Sequence, residues 1–308
     1  MKNTLRIATR ESRLALWQAE HVAGLLCKAH PDLTVELVPM TTRGDQILDT
    51  TLAKIGGKGL FIKELEAAML EGRADIAVHS MKDVPAELPE GFAIAAVLAR
   101  EDPRDALVSP RWARLEDIPS GSVIGTSSLR RQAQVRHARP DLKVEPVRGN
   151  VETRLKRLDE GRYEAIILAA AGLKRLKLTH RIAGLLPESL SLPAVGQGAV
   201  GVECLAEDDD TIALLAALED AETRSCVDAE RAFAHGLEAS CESPVAGFAV
   251  IHGQTMHLRG VAASFDGRAV LRGEVSGDHG NAADLGGQLA TQLLDRGAAQ
   301  LLRAGETG

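Results

Sequence analysis

Cationic side chains crowd one stretch of this sequence. Residues 125–175 hold nine Arg and three Lys against six acids, a local charge of +6 in a 308-residue chain whose net charge is −7. Placement matters more than number. Arg130 and Arg131 follow Gly125-Thr126-Ser127-Ser128, Arg148 precedes Gly149-Asn150 with Arg154 just beyond, and Arg175 follows Ala169-Ala-Ala-Gly172. These are helix starts and strand ends. In a parallel sheet both lie along one edge, where free N–H groups, hydroxyls and Arg side chains converge on anions. A guanidinium offers a two-donor fork to a carboxylate. The same residues also read as a solvated basic face with ordinary serine caps.

Asp83 is the second candidate. It closes His79-Ser80-Met81-Lys82-Asp83 after a strand end. A carboxylate there can move a proton or stabilise a developing cation; it can equally be a turn residue. Gly56-Gly57-Lys58-Gly59 fails as a phosphate loop, because no Gly stands five residues before Gly57 and Gly59 replaces the Ser/Thr. A flexible loop over 43–59 that turns Lys54 and Lys58 toward a ligand is one reading, a plain surface loop the other. Cys241 lies in the loop-like stretch 238–244, where a thiolate can react or stay inert. Cys27 and Cys226 fall on predicted helices and Cys204 on a predicted strand, where cysteine is usually a small buried apolar group. No His/Cys cluster has metal-ligand spacing, so no metal site is expected.

The elements that must position these residues show in the apolar periodicity. Residues 4–9 read as a strand, Ser12 opens a helix stopped by Pro31, and 34–40 is a strand. A helix over 60–71 ends at Gly72, and 74–78 is a strand. This β-α-β-α-β order predicts a parallel sheet with right-handed crossovers. The layout recurs with strands at 122–124, 143–147 and 165–170 and helices at 128–136 and 151–160. Two such lobes suggest a cleft between them. From about 220 the character changes: a helix over 222–236, strand-like pieces at 246–252, 256–263 and 269–275, and a last helix over 281–304.

Composition narrows the function classes. Aromatics are 3% of the chain, which argues against stacking platforms for single-stranded nucleic acid. The longest apolar run, 165–173, is nine residues and too short to span a membrane. The first six residues show no apolar signal core. Four scattered cysteines without a CxxC predict a reduced, cytoplasmic protein.

Several motifs together resemble the porphobilinogen deaminase family along essentially the whole chain. They are Leu5-Arg-Ile-Ala-Thr-Arg10, Gly56-Gly-Lys-Gly-Leu-Phe61, Ala77-Val-His-Ser-Met-Lys-Asp-Val-Pro85, Gly125-Thr-Ser-Ser-Leu-Arg-Arg-Gln132, Arg148-Gly-Asn150, Leu192-Pro-Ala-Val-Gly-Gln-Gly198 and the cysteine loop. Two departures stand out: Ala239-Ser240 before Cys241 where the family commonly has Gly-Gly, and Arg13 where Pro is frequent. Neither removes a residue with a chemical role.

The resemblance implies an α/β fold with two periplasmic-binding-protein-like α/β lobes and a small α+β C-terminal domain. The lobes would be residues 1–99 plus about 199–217 and residues 100–198; residues 218–308 would carry a dipyrromethane cofactor in thioether linkage to Cys241. The implied reaction condenses four porphobilinogens head to tail with loss of ammonia, then hydrolyses the product free as hydroxymethylbilane. Asp83 would be catalytic. Thr126, Ser127, Ser128, Arg130, Arg131 and Lys82 would hold the cofactor, and Arg10, Ser12, Gln18, Lys54, Lys58, Arg148, Arg154 and Arg175 the substrate. Two cofactor rings and four substrate rings carry twelve carboxylates, which suits a +6 segment in an acidic chain. Each charge-assisted contact contributes about 1.5–3 kcal/mol. The implied enzyme is a cytoplasmic monomer with no metal, nucleic-acid or membrane partner.

Two rivals come from other function classes. A solute receptor for organic anions shares a two-lobe layout, but predicts a secretion signal and needs no loop cysteine. A nucleic-acid module predicts aromatics among the basic residues, where only Tyr163 lies.

Overall fold

The computed structural model describes residues 2–42, 62–240 and 242–303. In chain order its elements begin with β1 (Thr4–Arg10), α1 (Arg13–Ala29), β2 (Thr34–Met40), α2 (Lys63–Leu70), β3 (Ile76–Ser80), β4 (Phe92–Val97) and β5 (Asp105–Val108). Next come β6 (Val123–Gly125), α3 (Leu129–Ala138), β7 (Lys143–Glu145), α4 (Val151–Asp159), β8 (Ala165–Ala169), α5 (Ala170–Arg175), β9 (Gly184–Leu185) and β10 (Val200–Leu205). The chain ends with α6 (Asp209–Leu215), α7 (Ala221–Gly236), β11 (Val245–His252), β12 (Thr255–Ala263), β13 (Val270–Asp278), α8 (Ala282–Asp295) and α9 (Ala298–Arg303). They form two compact units, one of residues 1–100 and 199–224, the other of 101–198 and 225–308.

The first unit is built on a sheet of order β2-β1-β3-β10-β4. β1 pairs in parallel with β2 and β3, as the β-α-β-α-β order requires, but β10 runs antiparallel to both β3 and β4. The expected all-parallel sheet is therefore mixed: β10 enters it only after the chain has built residues 101–198. Leu5, Ile7, Val78 and Val202 pack against Val22 and Leu26 of α1 on one face. Ala8 and Ala77 pack against Leu65, Ala68 and Met69 of α2 on the other.

The second unit holds two sheets. One has the order β7-β6-β8-β5-β9; β6 is parallel to β7 and β8, while β5 is antiparallel to β8 and β9. The other is the antiparallel β11-β12-β13, whose core includes Phe233, Leu258 and Leu289. A Cβ on Gly260 would run into Phe233 and Leu289, so the bare backbone there lets the helices lie close on the sheet. The final helix, expected as one piece, breaks into α8 and α9. Gly297 takes φ +95, and the Arg296 and Gly297 N–H groups turn back to the Leu293 and Leu294 carbonyls. The helix expected over 128–136 is α3, which starts one residue later and ends two residues later, and the strand expected over 74–78 starts two residues late as β3.

Candidate active site

In the first unit the residues gather at the C-terminal edge of β1 and β3, where a parallel pair presents strand ends and helix starts. Arg10, Ser12, Gln18, His79, Ser80 and Asp83 line one pocket. Four of these, Arg10, Ser12, Gln18 and Asp83, are sequence candidates. Ser12 caps α1, its Oγ accepting the Ala15 N–H at 3.3 Å. Gln18 Nε2 donates to Ser80 Oγ at 2.8 Å, tying α1 to the end of β3. Met81, Lys82 and Asp83 form a 3-10 turn closed by the Val84 N–H on the Met81 carbonyl at 3.2 Å. Met81 anchors it: the side chain is buried, and its N–H donates to the Ala199 carbonyl. Asp83 is half-buried, as a carboxylate that must meet a ligand should be.

In the second unit the basic residues converge, but not as an open cationic face. Arg130 and Arg131 are buried, and both close on Asp105, which has no exposed surface. Arg130 Nη1 and Nη2 donate to Asp105 at 2.8 and 3.1 Å, and Arg131 Nε at 2.9 Å. Ser191 Oγ and Gln197 Nε2 add 2.7 and 2.9 Å contacts to the same carboxylate. Burial alone would raise the Asp105 carboxyl; the two guanidiniums outweigh it and hold it far below the usual carboxylate range. Burial in turn lowers Arg130, against the Asp105 charge. Two cations on one anion leave the cluster one positive charge in excess. Arg130 Nε is buried with no hydrogen-bond partner among the described residues.

Around this cluster the Gly125-Thr-Ser-Ser segment is a set of caps. Ser128 caps α3, Ser127 Oγ donates to the Val147 carbonyl at 2.9 Å, and Thr126 Oγ1 accepts the Ser128 N–H. Asn150 caps α4, and Arg154 Nε donates to the Gly149 carbonyl at 2.7 Å. Gly149 sits at φ +104, with Thr153 where a Cβ would go, so no other residue fits there. Arg175, half-buried, donates to the Gly198 carbonyl at 2.7 Å; burial lowers it, against the charge of Glu101.

Cys241, Lys54 and Lys58 lie outside the described residues. On either side of Cys241, the Ser240 N–H donates to Ser243 Oγ and the Glu242 N–H to Ser240 Oγ. Burial pushes Glu242 up, while the charge of Arg148 pulls it down, which places Arg148 near the cysteine loop. Cys204 and Cys226 are buried as expected, but Cys27 is exposed, because it falls on the outer side of α1. Sequence reasoning missed Asp105 and the pairing of His79 with Glu203. No group of three or more His, Cys, Asp or Glu is placed to hold a metal among the described residues. No helix among them is long and apolar enough to cross a membrane.

Comparison with solved structures finds the BvgS VFT2 domain of Bordetella pertussis at 14% identity and TM-score 0.45, covering 70% of this chain and 86% of that one. The periplasmic aliphatic sulphonate binding protein SsuA of Escherichia coli matches at 12% identity and TM-score 0.42, covering 77% and 71%. Among protein families, the model for the porphobilinogen deaminase dipyrromethane cofactor binding domain matches residues 5–213, and that for the porphobilinogen deaminase C-terminal domain matches 224–295. With these matches spanning nearly its whole length, the chain belongs to the porphobilinogen deaminase family.

Proposed function

We propose that two groups of side chains divide the work of this enzyme. It is a transferase, hydroxymethylbilane synthase, of tetrapyrrole biosynthesis, and it uses a dipyrromethane cofactor. In our reading Asp83 is the catalytic carboxylate. The ammonium group of porphobilinogen leaves as ammonia, and the methylene left behind shares a positive charge with the pyrrole nitrogen. An ionised carboxylate beside that nitrogen stabilises the charge as it develops. Arg10, Ser12 and Gln18 bind the acetate and propionate arms that orient the ring. The observation that carries this reading is the pocket itself, where Arg10, Ser12 and Gln18 meet Asp83.

The second unit fits a polycarboxylate cofactor. Its buried cluster has one cation in excess and an Arg130 N–H without a partner among the described residues, and the loop flanking Cys241 lies within the field of Arg148. In this reading Cys241 bears the dipyrromethane, and Thr126, Ser127, Ser128, Arg130, Arg131 and Lys82 hold its carboxylates. Arg148, Arg154, Arg175, Lys54 and Lys58 hold those of incoming substrate. When bound, the group supplies the free pyrrole α-carbon to which the first substrate unit is joined. We divide the chain into lobes of 1–99 with about 199–217 and of 100–198, and a cofactor-carrying part of 218–308; the separate β11-β12-β13 sheet supports the last. We read the protein as a cytoplasmic monomer acting without nucleic acid or membrane; its acidic net charge and few aromatics argue against a nucleic-acid partner. Sizing in solution tests the oligomeric state.

The test of the site is Asp83→Asn, which keeps size and removes charge. Its intact mass first establishes that the cofactor is present. The single-turnover rate should then fall by several kcal/mol of transition-state stabilisation, at about 1.4 kcal/mol per tenfold. A loaded Asp83→Asn protein within about tenfold of the parent makes Asp83 a turn residue. In parallel, Cys241→Ala should have the bare polypeptide mass.

A further inference from the structure

Three ionisable side chains unused by this mechanism lie buried together behind the Asp83 pocket. His79 on β3 is 6% exposed, Glu203 on β10 0% and Glu66 on α2 7%. The antiparallel register sets Gly201 against His79 and Glu203 against Ala77, so His79 and Glu203 share one face of the sheet. There His79 Nε2 lies 2.8 Å from Glu203 Oε2. One oxygen of Glu203 and one of Glu66 are buried with no hydrogen-bond partner among the described residues. Burial first, and the Glu203 charge second, push Glu66 up; Lys63 acts the other way. Two acids and an imidazole cost more to bury than the aliphatic layer formed here by Leu65, Ala68 and Met69. That cost points to a task.

The cluster reaches the site. His79 lines the same pocket as Arg10 and Asp83. The parallel register of β1 on β3 sets Ala8 beside Ala77 and, carried two residues on, Arg10 beside His79. A carboxylate accepts only, so His79 donates its Nε2–H to Glu203 and keeps Nδ1 as the acceptor. Imidazole is the side chain whose proton exchanges most readily near neutral pH.

We propose that His79, oriented by Glu203, is the base that accepts the proton lost from a pyrrole α-carbon at each condensation. This rests on the reading that porphobilinogen reacts in the Asp83 pocket. The α-carbon of one porphobilinogen unit forms a bond to the methylene carbon of the next, whose C–N bond has broken to release ammonia with the electron pair. The attacking ring then holds a hydrogen too many at its α-carbon. That C–H pair returns to the ring, and the proton passes to His79 Nδ1. His79 gives it to the departing ammonia, which leaves as ammonium, so charge balances and nothing is oxidised or reduced. Asp83 keeps the separate task of stabilising the cation. Among the described residues, Glu203 and Glu66 face the base from the sheet and α2 side, Lys63 acts on Glu66, and Arg10 and Asp83 lie on the pocket side.

The test uses holoenzyme and porphobilinogen carrying deuterium at its free α-carbon. His79→Gln can still donate to Glu203 but cannot take a proton. Its kcat should fall about 100-fold or more with KM little changed, and its deuterium isotope effect should exceed the parent's. Glu203→Gln, which leaves the imidazole but frees its orientation, should lose less and also show an enlarged isotope effect. Independently of turnover, nitrogen NMR of labelled parent should show His79 protonated at Nε2 and bare at Nδ1 at neutral pH, and Glu203→Gln should disturb that tautomer. A folded His79→Gln protein with no larger isotope effect than the parent overturns the proposal, as does a parent protonated at Nδ1. If His79→Gln does not fold, Glu203→Gln and the parent NMR spectrum decide. A parent that leaves porphobilinogen unconsumed in the same assay defeats the wider reading instead.

Discussion

Charge balance at Asp105 separates residues that look alike in sequence. With Asp105→Asn, two buried guanidiniums lose the one carboxylate they share among the described residues; breaking such a buried pair costs about 3–5 kcal/mol. Arg131→Leu instead leaves Arg130 and Asp105 as a balanced pair. Urea unfolding at neutral pH should therefore find Asp105→Asn the less stable of the two, while intact mass should find Arg131→Leu impaired in holding the cofactor. The reverse order of stability would mean that packing, not charge, holds this cluster. The cysteines make a second residue-level contrast. Burial pushes the Cys204 thiol up to about 11, so it stays neutral and enclosed, and Cys226 is buried too. Of these three described cysteines, Cys27 alone should react with a thiol reagent in the native protein at pH 8, as peptide mapping of the labelled chain would show.

One glycine governs the element that carries Asp83. Gly201 of β10 stands opposite His79, and a Cβ there would overlap Met81 Sδ, the anchor of the 3-10 turn. Gly201→Ala should cost about 1–3 kcal/mol by overpacking and slow turnover by displacing the turn, whereas Gly24→Ala on α1, where a Cβ meets nothing, should do neither. Thermal midpoints and rates of the two variants check this. The elements were unevenly legible for physical reasons. α1 showed in its apolar spacing and Ser12 cap, and β1, β2 and β8 in short apolar runs between turn signals. β4, with the sequence Phe-Ala-Ile-Ala-Ala-Val, lacks alternation, and β5 and β9 are too short to show a period. The place of β10 between β3 and β4 depends on pairing across more than a hundred residues, which local periodicity does not contain. The site divides the same way. Asp83, Arg10 and Ser128 were legible as motif positions, but the Asp105 clamp and the His79–Glu203 pair join segments 25 and 124 residues apart and exist only once the sheets form.

Across the whole molecule, acids held down by nearby cations occur in both units, and this sets how the protein meets low pH. In the first unit Asp75 and Asp208 are lowered; burial opposes this, but Arg6 and Lys2 on Asp75, and Lys2 on Asp208, prevail. In the second, Asp105 lies far below its usual range, and Asp102 falls to about 2, chiefly through its hydrogen bond from Arg104. The sign follows from proton counting. Each folded-state pKa is below the unfolded value of about 3.9, so between the two the unfolded chain binds more protons and stability rises with pH. The stabilisation is fully present above about pH 4–5 and is lost as pH falls through the folded values. The denaturation midpoint should accordingly be insensitive to these four acids from pH 5 to 8 and fall steeply below pH 4. Because each unit has its own pairs, signals from both should weaken: Trp17 reports the first and Trp112 the second. Single-Trp variants followed through an acid titration make the measurement. Asp102→Asn should flatten the part of the curve between pH 4 and 2 for the second unit alone. A midpoint that stays level down to pH 3 in the parent would show that these carboxylates are not the groups that set acid stability.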